Sequence, residues 1–121
     1  MTWLLRLTIL AFALVGNACT EACDATRVVG IRITIVDAAT GSPFAGAVTI
    51  IATEGSYTET INPPAGAGFA GLAHERPGIY RVEVQAPGYV TWVATDVRVN
   101  RNDCHVETDL LTAELEPSGT T

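Results

Sequence analysis

The chain has 121 residues, a formal net charge of −6 and a hydrophobic content of 48 %. That is enough apolar residue for one small domain with a single core, and it excludes general disorder. All seven basic residues are arginines scattered along an acidic chain. No positive stripe is present to displace counterions from a nucleic acid or to dock on anionic lipid headgroups.

Residues 1–18 read MTWLLRLTILAFALVGNA. The α-amino group and Arg6 give a weakly positive head, Leu7 to Val15 an apolar run, and Gly16-Asn17-Ala18 a small-x-small end. The run is too short for a bilayer, which takes roughly 20 apolar residues. This is the layout of a secretory signal peptide. Cys19, directly after Ala18, resembles the lipobox cysteine of bacterial lipoproteins, whose thiol receives diacylglycerol. The resemblance implies a lipid anchor at Cys19; plain secretion is the alternative. By either route the mature chain runs from Cys19 to Thr121. It loses Arg6 and no acid, so its charge is 6 − 13 = −7. The protein is expected outside the cytoplasm, as a membrane-anchored lipoprotein or as a periplasmic or secreted chain.

Residues 19–27 read as a polar tether or lead-in. An odd number of cysteines in an exported chain needs an explanation. If Cys19 carries lipid, Cys23 and Cys104 are left to form a disulfide; a Cys19–Cys104 bridge or two free thiols are the other arrangements. A zinc site does not fit, because C-x3-C is followed by only one distant Cys-His pair.

The body of the chain, residues 28–116, reads as strands and turns. Val28 to Asp37 alternates, with Ile31, Ile33 and Ile35 on one face and Arg32 and Thr34 on the other. Asp37 to Pro43 is a turn in which Asp37 accepts backbone bonds, Gly41 tolerates positive φ and Pro43 ends the loop. Ala47 to Thr53 is a β-branched strand, Ser56 to Ile61 a short one with a polar face, Asn62 to Gly68 a Pro/Gly loop, and Phe69 to His74 a weak strand. Pro77-Gly78 turns the chain into Ile79 to Gln85, whose inward face is Tyr80, Val82, Val84 and Ala86. Pro87-Gly88 turns it again into an extended segment from Tyr89 to Val99, anchored by Trp92, Val97 and Val99. Cys104 to Leu115 is read as one closing strand, since Leu111, Ala113 and Leu115 alternate. Residues 117–121 read as a flexible tail. The expected fold is an all-β, antiparallel, seven-stranded sandwich.

The segments D-A-A-T-G-S-P-F-A-G-A at 37–47 and P-G-I-Y-R-V-E-V-Q-A-P-G-Y at 77–89 resemble a carboxypeptidase regulatory-like domain, a transthyretin-like (prealbumin-like) sandwich. The matching positions are Asp37, Thr40, Gly41, Pro43, Gly46 and Ala47, then Gly78, Tyr80, Val82, Val84, Ala86, Gly88 and Tyr89. The resemblance covers residues 28–116. It implies that the first segment is a hairpin joining the first two strands, that the second builds the opposite core face, and that this is a solitary exported member of the family.

These residues shape turns and core and carry no catalysis. His74-Glu75 reads as an exposed loop pair and His105 as a strand side chain beside the bridge. Asp37 and Asp103 could meet calcium only if they shared an end of the sandwich, and both are otherwise turn residues. Hydroxyisourate hydrolase shares the transthyretin fold, but its His/Arg site and C-terminal signature have no counterpart here. No G-x-S-x-G is present. Tyr57, Tyr89 and Trp92 are candidates for a ligand-stacking surface, with a core role as the competing reading. The expected function is a non-catalytic interaction or structural module of the cell envelope, without a cofactor, whose partner is an envelope protein or a glycan. A small glycan- or peptide-binding protein is the alternative.

Overall fold

The computed structural model describes residues 23–119. Cys19, the leader and the last two residues of the tail lie outside them. Eight strands form: β1 (Ile31–Asp37), β2 (Thr49–Glu54), β3 (Tyr57–Ile61), β4 (Phe69–Leu72), β5 (Gly78–Gln85), β6 (Trp92–Arg101), β7 (Val106–Glu107) and β8 (Asp109–Leu115). They make a three-stranded sheet ordered β4-β1-β8 and a five-stranded sheet ordered β3-β2-β5-β6-β7.

The alternation seen in the sequence sets the core. Ile31, Ile33 and Ile35 are buried while Arg32 and Thr34 are exposed. β5 buries Tyr80, Val82 and Val84 against them, with Ala86 just beyond the strand. Phe44 and Val48, on the crossing between β1 and β2, fill one end. Each aliphatic side chain moved wholly out of water contributes about 1.5–3 kcal/mol, so these inward faces drive the sandwich together.

Three expectations are corrected. The segment Cys104 to Leu115 is two strands, because the chain changes sheets at Thr108, whose hydroxyl donates to the Val29 carbonyl at 2.6 Å. The sheets are also not wholly antiparallel: β1 and β8 run parallel from Ile31↔Asp109 to Asp37↔Leu115, since both are entered from the same end of the sandwich. And residues 37–47 do not form a hairpin between β1 and β2, which belong to different sheets. Instead Asp37 Oδ1 accepts the Ala39 N–H at 2.8 Å, Gly41 N–H closes onto the Asp37 carbonyl at 2.7 Å, and Pro43 bridges back to Val36. The turn residues Asp37, Gly41 and Pro43 thus act as expected, but they send the chain across the core. Gly88, at φ +80, makes the turn after β5.

β6 carries a feature that the sequence reading passed over. Tyr80 pairs with Val97 but Val82 with Ala94, so one extra residue is inserted in β6. Asp96 there has φ +55. The bulge shifts the phase, so that Trp92 and Ala94 face the core together with Val97 and Val99.

Candidate functional site

The two ends of the sandwich differ in chemistry. At the end where β1 begins, Cys23 and Cys104 are joined by a disulfide with Cα atoms 5.1 Å apart, across a sequence separation of 81. Beside it His105 sits in the turn between β6 and β7, not in a strand. Its Nδ1 lies 2.6 Å from Glu75 Oε1 and its Nε2 3.0 Å from Asp24 Oδ1. Glu75 is therefore no free loop residue: it also accepts the Val28 N–H at 2.8 Å. The loop that presents it holds Ala73 and Glu75 at positive φ. These contacts fix residues 23–28 to the domain, so the described part of the segment is a docked lead-in. Glu75 is held below the usual carboxylate range by the Val28 N–H and then by His105, and Asp24 by the Thr26 N–H. The Glu75 carboxylate, then Asp24, raises His105 above the ordinary histidine value. The two carboxylates approach opposite ring nitrogens, so the trio cannot converge on one metal ion.

At the same end Glu54 Oε1 pairs with Arg76 Nη1 at 2.8 Å, and Glu54 Oε2 accepts the Ile79 N–H at 2.7 Å. The Arg76 guanidinium lies 3.6 Å from the Tyr57 ring centroid and donates to Tyr80 Oη at 2.8 Å. Gly78 leaves room here for the Glu54 carboxylate, which a Cβ at this position would displace.

The far end holds an open groove of about 450 Å³ between the β1–β2 crossing and the β5–β6 turn, walled by Pro43, Phe44, Ala45, Pro87 and Tyr89. Tyr89 packs edge-on against Phe44 with centroids 4.9 Å apart. Of the candidate aromatic surface, Tyr57 lies at the disulfide end under Arg76, whereas Tyr89 and Trp92 lie in and just after the β5–β6 turn at the other end, and all three pack against the core. Asp37 and Asp103 likewise stand at opposite ends and share no site. His74, half-buried next to Glu75, takes no part in the His105 contacts.

Among the described residues β8 is an edge strand, as are β3 and β4. The Asp109 N–H donates to the Gly30 carbonyl, and the Leu115 carbonyl accepts the Ala38 N–H. Alternate residues of a parallel ladder bond to a given neighbour, so odd-numbered β8 residues serve β1. Leu110, Thr112 and Glu114 turn their backbone groups outward. Further along the same side, the Glu116 carbonyl accepts from Val90 and the Ser118 N–H donates to Gly88. Residues 116–118 are thus paired with the β5–β6 turn, which corrects the expectation of a tail loose from Pro117. Leu110 is 73 % exposed and Phe69, on the other edge strand of that sheet, 56 %.

No protein-family model and no curated protein matches the chain. Among the described residues no helix is long and apolar enough to cross a membrane. The disulfide is compatible with an oxidising, exported location.

Proposed function

We propose that this chain is a carboxypeptidase regulatory-like, prealbumin-like β-sandwich of the cell envelope. It is held to the membrane through lipid on Cys19 and works without catalysis, by accepting an extended segment of another envelope protein along β8. The observation that carries this reading is the open edge at Leu110, Thr112 and Glu114, bordered by an exposed leucine. An incoming strand would gain main-chain hydrogen bonds there and rest apolar side chains on Leu110.

The polarity of the fold supports it. Only three residues lie between Cys19 and Cys23, so the four steps from one to the other reach about 14 Å when extended. With lipid on Cys19, the disulfide end would face the membrane. β1, seven residues long, sets the groove end about 23 Å further out. The glycan reading is less well supported, since Arg76 covers a face of the Tyr57 ring and Tyr89 and Trp92 are partly buried against the core.

Proline at an outward-facing edge position removes one free N–H while sparing the β1 ladder. A photo-reactive residue at Glu114 is therefore expected to give a discrete protein adduct in intact cells, and Thr112→Pro to abolish it with the fold retained. The same adduct from a probe at Arg81, on the outer face of the other sheet, or persistence of the adduct in Thr112→Pro, would overturn the proposal.

A further inference from the structure

We propose that His105 is the proton-sensitive half of a clasp that docks residues 24–28 onto the sandwich, with the Cys23–Cys104 disulfide as its covalent half. The argument is one of hydrogen-bond valence. Both ring nitrogens of His105 face carboxylate oxygens, Glu75 Oε1 at 2.6 Å and Asp24 Oδ1 at 3.0 Å. An ionised carboxylate only accepts, so each contact needs a proton on nitrogen, and a neutral imidazole has one. Only the imidazolium satisfies both. Once it deprotonates, a nitrogen lone pair opposes a carboxylate.

Those same oxygens order the incoming backbone, Asp24 by a turn within the segment and Glu75 by a bond across to it. Asp24 Oδ1 accepts the Thr26 N–H at 3.0 Å and Glu75 Oε1 accepts the Val28 N–H at 2.8 Å. The proton on His105 is thereby coupled to the docking of the segment. The charged groups acting on the ring are Glu75 from the β4–β5 loop and Asp24 from the entering segment. On its own turn Asp103 and Glu107 lie close in sequence, and Cys104 is in the disulfide and does not titrate. The His105 contribution, with its pKa raised in the folded state, is complete below the unfolded value of about 6.5 and is lost as pH rises through the raised value. The Asp24 and Glu75 contributions, with pKa values lowered, are complete above about 4 and are lost as pH falls through the lowered values. The clasp is therefore tightest in mildly acidic solution. As pH rises the His105 link between Asp24 and Glu75 is lost and residues 24–27 are held more weakly, while Val28 keeps the backbone bond from the Glu75 N–H and, with the disulfide formed, Cys23 stays fixed.

The test is nuclear magnetic resonance of the mature domain carrying His74→Gln, which leaves one imidazole signal, with and without Cys23→Ser. Expected are two protonated ring nitrogens near pH 6, a midpoint above about 6.5, and a lower midpoint in Glu75→Gln and Asp24→Asn. Hydrogen-exchange protection factors at Thr26 and Val28, corrected for intrinsic rates, should fall about tenfold through the midpoint in Cys23→Ser, as expected for losing a charge-assisted bond. A midpoint at or below about 6.5 in the otherwise native chain, or protection that is flat between about pH 5 and 9 in Cys23→Ser, would overturn the proposal.

Discussion

Tyr80 is 1 % exposed, yet its hydroxyl is satisfied twice by one residue: it donates to the Arg76 carbonyl and accepts from the Arg76 guanidinium, both at 2.8 Å. The phenol thus ties the β4–β5 loop to the core. Tyr80→Phe keeps the ring and loses the tie, at an expected cost of about 1 kcal/mol, or roughly 4–8 °C in Tm for a domain near this size. Two glycines separate steric from conformational demand. Gly41 has φ +74 and open space around it, so Gly41→Ala costs only the left-handed backbone penalty of about 1 kcal/mol. Gly78→Ala would push aside the Glu54 carboxylate that Arg76 and the Ile79 N–H share. Thermal melts should therefore rank Gly78→Ala as clearly more damaging than Gly41→Ala. Equal shifts would mean that Glu54 moves aside at no cost.

Period-two burial was legible in β1 and β5, where the inward residues of the sequence reading are those of the fold. The helix-like composition of β8 is overridden because Ala113 and Leu115 are wanted in the core. Sheet membership was not legible: nothing local distinguishes a turn that pairs neighbouring strands from one that crosses the core, so the residues at 37–47 could not contradict the hairpin that the family resemblance implies. The His105 clasp was hidden because Asp24, Glu75 and His105 are far apart in sequence and meet only through three loops. The β6 bulge did leave a trace, since the core anchors change parity between Trp92 and Val97. It also yields a prediction. Asp96 at φ +55 is a tolerated but strained residue, so Asp96→Gly should be neutral or stabilising by up to about 1 kcal/mol. Asp96→Val should destabilise by about 1–2 kcal/mol, because a β-branched side chain resists that backbone. Chemical denaturation of the two variants decides it; a stable valine variant would mean that the bulge relocates.

For the whole molecule the decisive link is the disulfide, which ties the entry of the chain to the turn before β7 across a sequence separation of 81. Closing a loop of that length restricts the unfolded chain by about 4 kcal/mol in the chain-entropy account. A domain of this size has about 5–15 kcal/mol in total, so reduction should remove a large share of its stability. Cys104→Ser is expected to lower Tm markedly and to leave the variant insensitive to dithiol reductants, whereas the native domain loses stability when they are added. The mass of the intact protein from its native envelope joins this to the anchoring proposal. A chain beginning at Cys19 with diacylglycerol attached, and gaining two protons on reduction, is the expected result. An unlipidated chain that still gains two protons would refute the anchor and keep the staple. In that case the short span from Cys19 to Cys23 no longer orients the sandwich on a membrane, and the open β8 edge would have to meet its partner in solution.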